Sequence, residues 1–199
     1  MKNKVSRLNR KKKYKAIVMG VSAGGLAALT AILPNLSCQM CLPILIVQHL
    51  SPGSDDFLAK HFDKLCPFRV KEAEEKELIV GSTIYFAPAN YHLMVEQDRT
   101  IALSIAERVQ FSRPSIDVLF ETAADAYADR LIGIILTGAN SDGARGVMRI
   151  REFNGFVIAQ SPKTAEANVM PLAAIKAGVD KVLALEKIPP FINQITGIP

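Results

Sequence analysis

Between Lys15 and Leu33 the chain reads KAIVMGVSAGGLAALTAIL: a β-branched apolar run (Ile17, Val18, Met19), a turn crowded by Gly20, Gly24 and Gly25, then an Ala/Leu-rich helical segment. Strand, tight turn, helix is the repeating unit of a parallel α/β sheet, and the rest of the chain repeats it. Pro43 to Gln48 (PILIVQ) and Leu131 to Thr137 (LIGIILT) are continuous apolar runs of the kind buried on both faces. Helices are predicted over 54–65, with Phe57, Leu58, Phe62 and Leu65 on one face, and over 115–127, opened by Arg113-Pro114-Ser115. After LIGIILT come a helix over 144–153, a strand over 156–160, a helix over 171–177, a strand over 181–185 and a last helix from Ile188. The alternation predicts an α/β fold: a doubly wound, mainly parallel sheet with helices on both faces. One stretch breaks the texture. From Phe68 to Ala106, short alternating runs (TIYFA, HLMVEQ, TIALSIA) separated by Gly81, Pro88-Ala89-Asn90 and Gln97-Asp98-Arg99 predict a small antiparallel hairpin extension beside the parallel core.

Charge divides the chain in two. Its formal net charge is +5, yet eight of the 24 basic residues and none of the 19 acidic ones lie in the first fifteen positions, so the remainder is slightly acidic. The basicity belongs to a disordered tail, residues 1–14, ahead of one globular domain over 15–199. Tyr14 is the only aromatic residue in that tail, so it carries no base-stacking platform, and no nucleic-acid partner is expected. The tail and the uncharged stretch behind it imitate a secretory signal, but the glycine turn and the regular alternation that follows argue against cleavage there and against a membrane span. A cytoplasmic protein is expected. The three cysteines suit a reducing compartment; Cys38-x-x-Cys41 with His61 and Cys66 lacks the spacing of a zinc module, so no metal is expected and the thiols are read as buried and inert.

In an open parallel sheet the loops after the strands share one edge, where ligands bind. That edge collects Ser22, His49 and Asp142, each following a predicted strand. Serine needs a base to take its proton, histidine is suited to that near neutrality, and a carboxylate fixes the tautomer of the imidazole. Separately, Ser22 reads equally well as a helix cap and Asp142 as a turn residue; their convergence with His49 favours a serine hydrolase. The order Ser, His, Asp differs from that of the α/β-hydrolases, although G-V-S-A-G fits a nucleophile elbow. A dinucleotide site is disfavoured, because Ser22 stands where a glycine should admit the pyrophosphate and the second strand ends without an acid, so no cofactor is expected.

Several ordered motifs together go further. GVSAGG, Gln48-His49-Leu50, IYFAPANYHLMV, RPSID at 113–117, GIILTGANSDGARG at 133–146, FVIAQ, Met170-Pro171 and AIKAGVDKVLAL resemble the catalytic domain of the chemotaxis protein-glutamate methylesterase family, from about Lys15 to Ile192. The resemblance implies hydrolysis of glutamate γ-methyl esters, and deamidation of glutamines, on methylated chemoreceptor cytoplasmic helices. It puts the nucleophile on Ser22, the histidine on His49, the carboxylate on Asp142 and the backbone oxyanion donors on Ala139 and Ala23. It also puts substrate contacts on Arg113 and Met170. Arg113 either meets acidic groups beside the ester or pairs with Asp117 at helical spacing. The family loop T-G-M-G-x-D-G is altered to Thr137-Gly138-Ala139-Asn140-Ser141-Asp142-Gly143; a backbone donor survives at Ala139, and asparagine tolerates a positive φ if position 140 requires one. A weak homologue acting as a binding module, or an esterase for another substrate, fits the same residues. The fifteen leading residues cannot hold the family's receiver domain, so a separate regulatory protein is the expected partner.

Overall fold

Backbone order follows the apolar runs. The computed structural model describes residues 14–197, so the expected tail lies outside the described residues except for Tyr14, whose ring packs edge-on against Phe156. In chain order the elements are β1 (Ala16–Val21), α1 (Gly25–Ile32), β2 (Ile44–Gln48), α2 (Phe57–Asp63), β3 (Arg69–Glu72), β4 (Thr83–Phe86), β5 (His92–Val95) and β6 (Ile101–Ser104). They continue as α3 (Ile116–Tyr127), β7 (Leu131–Ile135), α4 (Ala144–Glu152), β8 (Phe156–Gln160), α5 (Val169–Ala177), β9 (Lys181–Leu183) and α6 (Ile188–Thr196). Seven strands form one parallel sheet in the order β3-β4-β2-β1-β7-β8-β9, and β5 and β6 form a separate antiparallel pair.

Strand side chains alternate between faces, and each face has its own core. Val18, Leu45, Val47, Ile135 and Val157 meet Leu119 and Phe120 of α3, Val147 and Ile150 of α4, and Met170 of α5. Ile17, Met19, Ile46, Ile132 and Ile134 meet Leu29 and Ile32 of α1, Phe62 of α2, and Ile188 and Ile192 of α6. Helices on both faces explain why β1, β2 and β7 are buried along their whole length. The chain builds outward from β1 through β2 and then returns to β7 on the other side of β1. That reversal opens a crevice at the carboxyl ends of these strands.

Three expectations need correction. TIYF is not part of the hairpin; it is β4, hydrogen-bonded in parallel to both β2 and β3 inside the main sheet. The helix expected over 54–65 is only the seven residues of α2; Phe57 is 56% exposed and Leu65 47% exposed, because the Phe57 ring stacks on His61 one turn later, on the surface, instead of entering the core. Cys38 and Cys41 are exposed, because the connection between α1 and β2 turns Met40 between them into the core instead, while Cys66 is half-buried against that core.

Candidate active site

The three strand ends bring Ser22, His49 and Asp142 into one hydrogen-bonded line. His49 Nδ1 lies 3.2 Å from Ser22 Oγ, and His49 Nε2 lies 2.9 Å from Asp142 Oδ2. Asp142 accepts only at ionised oxygens, so the proton resides on Nε2 and the Nδ1 lone pair faces the serine hydroxyl. The His49 side chain is 13% exposed while that of Asp142 is fully buried, so the line runs from a solvent-reachable serine to an enclosed carboxylate.

The main chain locks each member in place. Ser22 N donates to Thr137 O at 3.0 Å, and His49 N donates to Val21 O at 3.1 Å, tying the turns after β1, β2 and β7 together. Gln48 Nε2 donates to Ser22 O (3.1 Å) and His49 O (3.0 Å). Thr137 N donates to Gln160 Oε1 at 2.9 Å, and the Thr137 hydroxyl lies 2.8 Å from Ala23 O. Gly24 starts α1 in the left-handed region (φ 77°), which turns the chain sharply just past Ser22.

Asp142 rests on the start of α3. Its Oδ1 accepts from Ser115 Oγ (2.9 Å) and Asp117 N (3.0 Å), and its Oδ2 accepts from Ile116 N (2.7 Å) as well as from His49. These are amides that a helix cannot satisfy internally, so Asp142 caps α3 from a distant loop and lies at the positive end of its dipole. Burial alone would raise the Asp142 pKa. The bonds from His49, Asp117 N and Ile116 N outweigh it and hold the carboxyl below the ordinary value. Two glycines admit this arrangement. A Cβ on Gly20 would stand 2.4 Å from Ile116 Cγ2, and one on Gly143, itself at φ 95°, would stand 2.8 Å from the same atom.

Around this line lie residues that residue-type reasoning passed over. His92 is buried; its Nδ1 accepts from Ser115 N at 3.2 Å and its Nε2 donates to Glu107 O at 3.0 Å, anchoring the approach to α3 to the β5–β6 pair. Asp117 is buried too, accepting from Gly146 N at 2.9 Å with Arg145 Nε 3.4 Å away; desolvation, together with the nearby Asp142 charge, pushes its pKa up to about 6. Gln48 and Gln160 have a sequence signature: each is the one polar residue closing an otherwise apolar strand.

The remaining expected residues fall as follows. Arg113 makes four hydrogen bonds within the fold, from Nε and Nη2 to Asn90 Oδ1 and from Nη1 to Ile105 O and Ala106 O; it does not pair with Asp117. It lines a small open cleft of about 100 Å³ beside His49, with Leu50, Arg108, Phe111 and Pro114. Met170 is only 1% exposed. It supports the loop after β7 from beneath, its N donating to Gly138 O and its thioether packing on Gly138, so it is enclosed and offers no surface to a substrate. Asn140 does not have positive φ; its Oδ1 accepts from Asp142 N at 3.2 Å, and the left-handed residue of the loop is Gly143. The Ala23 and Ala139 amides meet no acceptor among the described residues. No cluster of metal-ligating side chains occurs among the described residues, and none of their helices is long and apolar enough to cross a membrane.

A model of the CheB methylesterase family matches residues 17–192. The chain belongs to the CheB methylesterase family. It is 57% identical over 176 residues, 88% of this chain and 91% of the relative, to a putative protein-glutamate methylesterase/protein-glutamine glutaminase of Leptospira interrogans (serovar copenhageni). It is 35% identical over 201 residues to the protein-glutamate methylesterase/protein-glutamine glutaminase of Thermotoga maritima, covering 98% of this chain but 58% of that relative. The crystal structure of the Thermotoga maritima CheB methylesterase catalytic domain superposes with a TM-score of 0.87 at 33% identity, over 92% of this chain and 98% of that one. The α/β architecture, with its small antiparallel pair, is therefore that of a CheB catalytic domain.

Proposed function

We propose that the chain hydrolyses glutamate γ-methyl esters, and deamidates glutamines, on the cytoplasmic helices of methylated chemoreceptors. Ser22 Oγ attacks the ester carbonyl carbon while His49 Nδ1 takes the hydroxyl proton, and the buried Asp142 carboxylate stabilises the imidazolium. The N–H groups of Ala23 and Ala139 receive the oxyanion of the tetrahedral intermediate. Collapse breaks the bond to methoxide, which leaves as methanol with the proton from His49. Water, deprotonated by His49, then attacks the acyl-serine, and His49 returns that proton to Ser22 Oγ as the acyl bond breaks, leaving a free glutamate carboxylate; a glutamine follows the same course with ammonia departing. Arg113 serves substrate binding by shaping the lip of the cleft. We assign the reaction to the cytoplasm, where the receptor helices lie.

The observation that carries this reading is the unbroken line from Ser22 through His49 to a buried, ionised Asp142 in a chain of this family. The test is methanol release from methylated receptor cytoplasmic fragments. Wild type should release it, and Ser22→Ala should lose about 10⁴- to 10⁶-fold in kcat with its thermal unfolding little changed. An equal rate in the variant removes Ser22 as nucleophile.

A further inference from the structure

The turn over 109–112 is at odds with its own sequence. Val109 and Ser112 exchange both backbone hydrogen bonds (3.1 and 2.9 Å), so Gln110 and Phe111 are the central pair of a two-residue turn, and both have positive φ, 51° and 63°. Such turns favour Asn-Gly, because a large side chain is disfavoured in the left-handed region. A glycine at 111 would relax the backbone. Instead the position holds an aromatic ring that is 95% exposed, the most exposed of the large apolar side chains described. The fold gains no packing from it. A residue that both backbone preference and solvation disfavour, and that the fold does not use, points to a role outside the fold.

Its place indicates what that is. Phe111 stands on the lip of the cleft that begins at His49. Arg108, beside it, has no hydrogen-bond or ion-pair partner among the described residues, whereas the Arg113 guanidinium is held by Asn90, Ile105 and Ala106. The lip therefore offers one free apolar ring and one free cation within reach of the reacting centre. We propose that Phe111 is a docking residue for the protein segment that carries the ester: its ring enters between apolar side chains of an amphipathic, acidic segment while Arg108 meets carboxylates of that segment. This rests on the reading of Ser22, His49 and Asp142 as a hydrolase of protein-borne esters. An aromatic anchor buries on the order of 150–250 Å² when it inserts. A small ester has no surface to receive it.

The test uses the whole chain with Phe111→Gly and Phe111→Tyr. KM is measured on a methylated receptor cytoplasmic fragment and on a small glutamate γ-methyl ester, and Kd for the fragment is measured in the Ser22→Ala background. Phe111→Gly should weaken fragment KM and Kd by roughly ten- to thirtyfold, at least about fivefold more than it changes the small-ester KM, while unfolding at the same or a higher temperature. Phe111→Tyr should stay within about threefold of wild type. Equal changes on both esters, an unchanged Kd, or no fragment binding by the Ser22→Ala chain would each overturn the docking assignment. Should wild type bind the fragment through Phe111 yet release no methanol, the hydrolase reading fails and the docking assignment stands. Methanol release with Phe111-independent binding is the reverse outcome.

Discussion

Replacing Asp142 by asparagine separates the two tasks of the carboxylate, because the four groups around it are all donors. Ser115 Oγ and Asp117 N converge on Oδ1, and Ile116 N and His49 Nε2 converge on Oδ2. An amide supplies one acceptor oxygen and one NH₂, so two of those donors must face a donor. The less costly orientation turns Nδ2 toward Ser115, whose hydroxyl can reverse and accept. That leaves Asp117 N without a partner in a buried place, costing about 1–3 kcal/mol. The bonds from Ile116 N and His49 also fall from charge-assisted to neutral, roughly 1 kcal/mol each, and the charge at the α3 terminus is lost. The expected destabilisation is about 3–5 kcal/mol, a large share of a typical domain's total stability. In that orientation His49 keeps its tautomer, so turnover falls because the imidazolium loses its counter-charge; kcat should drop by at least about 10², and by about 10⁴ if the amide instead faces His49. The pH dependence follows from the sign of the shift. The folded pKa of Asp142 lies below its ordinary value, so its contribution is complete above about pH 4 and is lost as pH falls through the folded value. Urea unfolding of both chains should show a gap that narrows as pH falls below about 4 and Asp142 protonates, and that also narrows as Asp117 ionises near pH 6, because the amide removes the charge that helps raise the Asp117 pKa. A gap under about 1 kcal/mol at pH 7, or a kcat within about threefold of wild type, would refute this account of the site.

Two further outcomes follow from the same region. Asp117 has the opposite shift, up to about 6, so its ionisation opposes folding and wild type loses stability as pH rises through that value; Asp117→Asn should gain in melting temperature relative to wild type between pH 5 and pH 8, and a pH-independent difference would contradict the assignment. Gly20→Ala drives a Cβ to 2.4 Å from Ile116 Cγ2, which should cost about 1–3 kcal/mol in urea unfolding and lower kcat by displacing the start of α3; a cost under about 0.5 kcal/mol would mean that Ile116 is free to move.

The parallel core was readable because β1, β2 and β7 are buried throughout and therefore written in almost unbroken apolar residues. β4 was misread for a physical reason. Thr83 and Tyr85 give it the alternating look of a half-exposed strand, yet all four of its residues are buried. Tyr85 hides its hydroxyl by accepting from Val80 N at 3.1 Å, and Thr83 Oγ1 donates to Gly81 O at 3.4 Å. Local hydrogen bonds let polar-tipped side chains occupy apolar surroundings, and hydropathy alone cannot register them. Phe57 misled in the other direction, since helical spacing does not distinguish a core face from a surface ring stacked on its i+4 neighbour.

Ser22, His49 and Asp142 were legible as residue types at strand ends; what holds the carboxylate was not, and the reason is chemical. Two of its four donors are backbone amides, of Ile116 and Asp117, which leave no mark in a sequence, and the α3 start that supplies them precedes Asp142 by about 25 residues. Those amides point at Asp142 because Gly20 and Gly143 make room for Ile116. Helix capping and the orientation of His49 thus fall to the same carboxylate. A change at Asp142 must disturb folding and turnover together, whereas changes at Ser22, which caps no helix with its side chain, and at Phe111, which packs on nothing, can alter activity or recognition and leave the fold intact. The separation of these effects in one set of variants tests the reading of the site more sharply than the loss of activity in any single one.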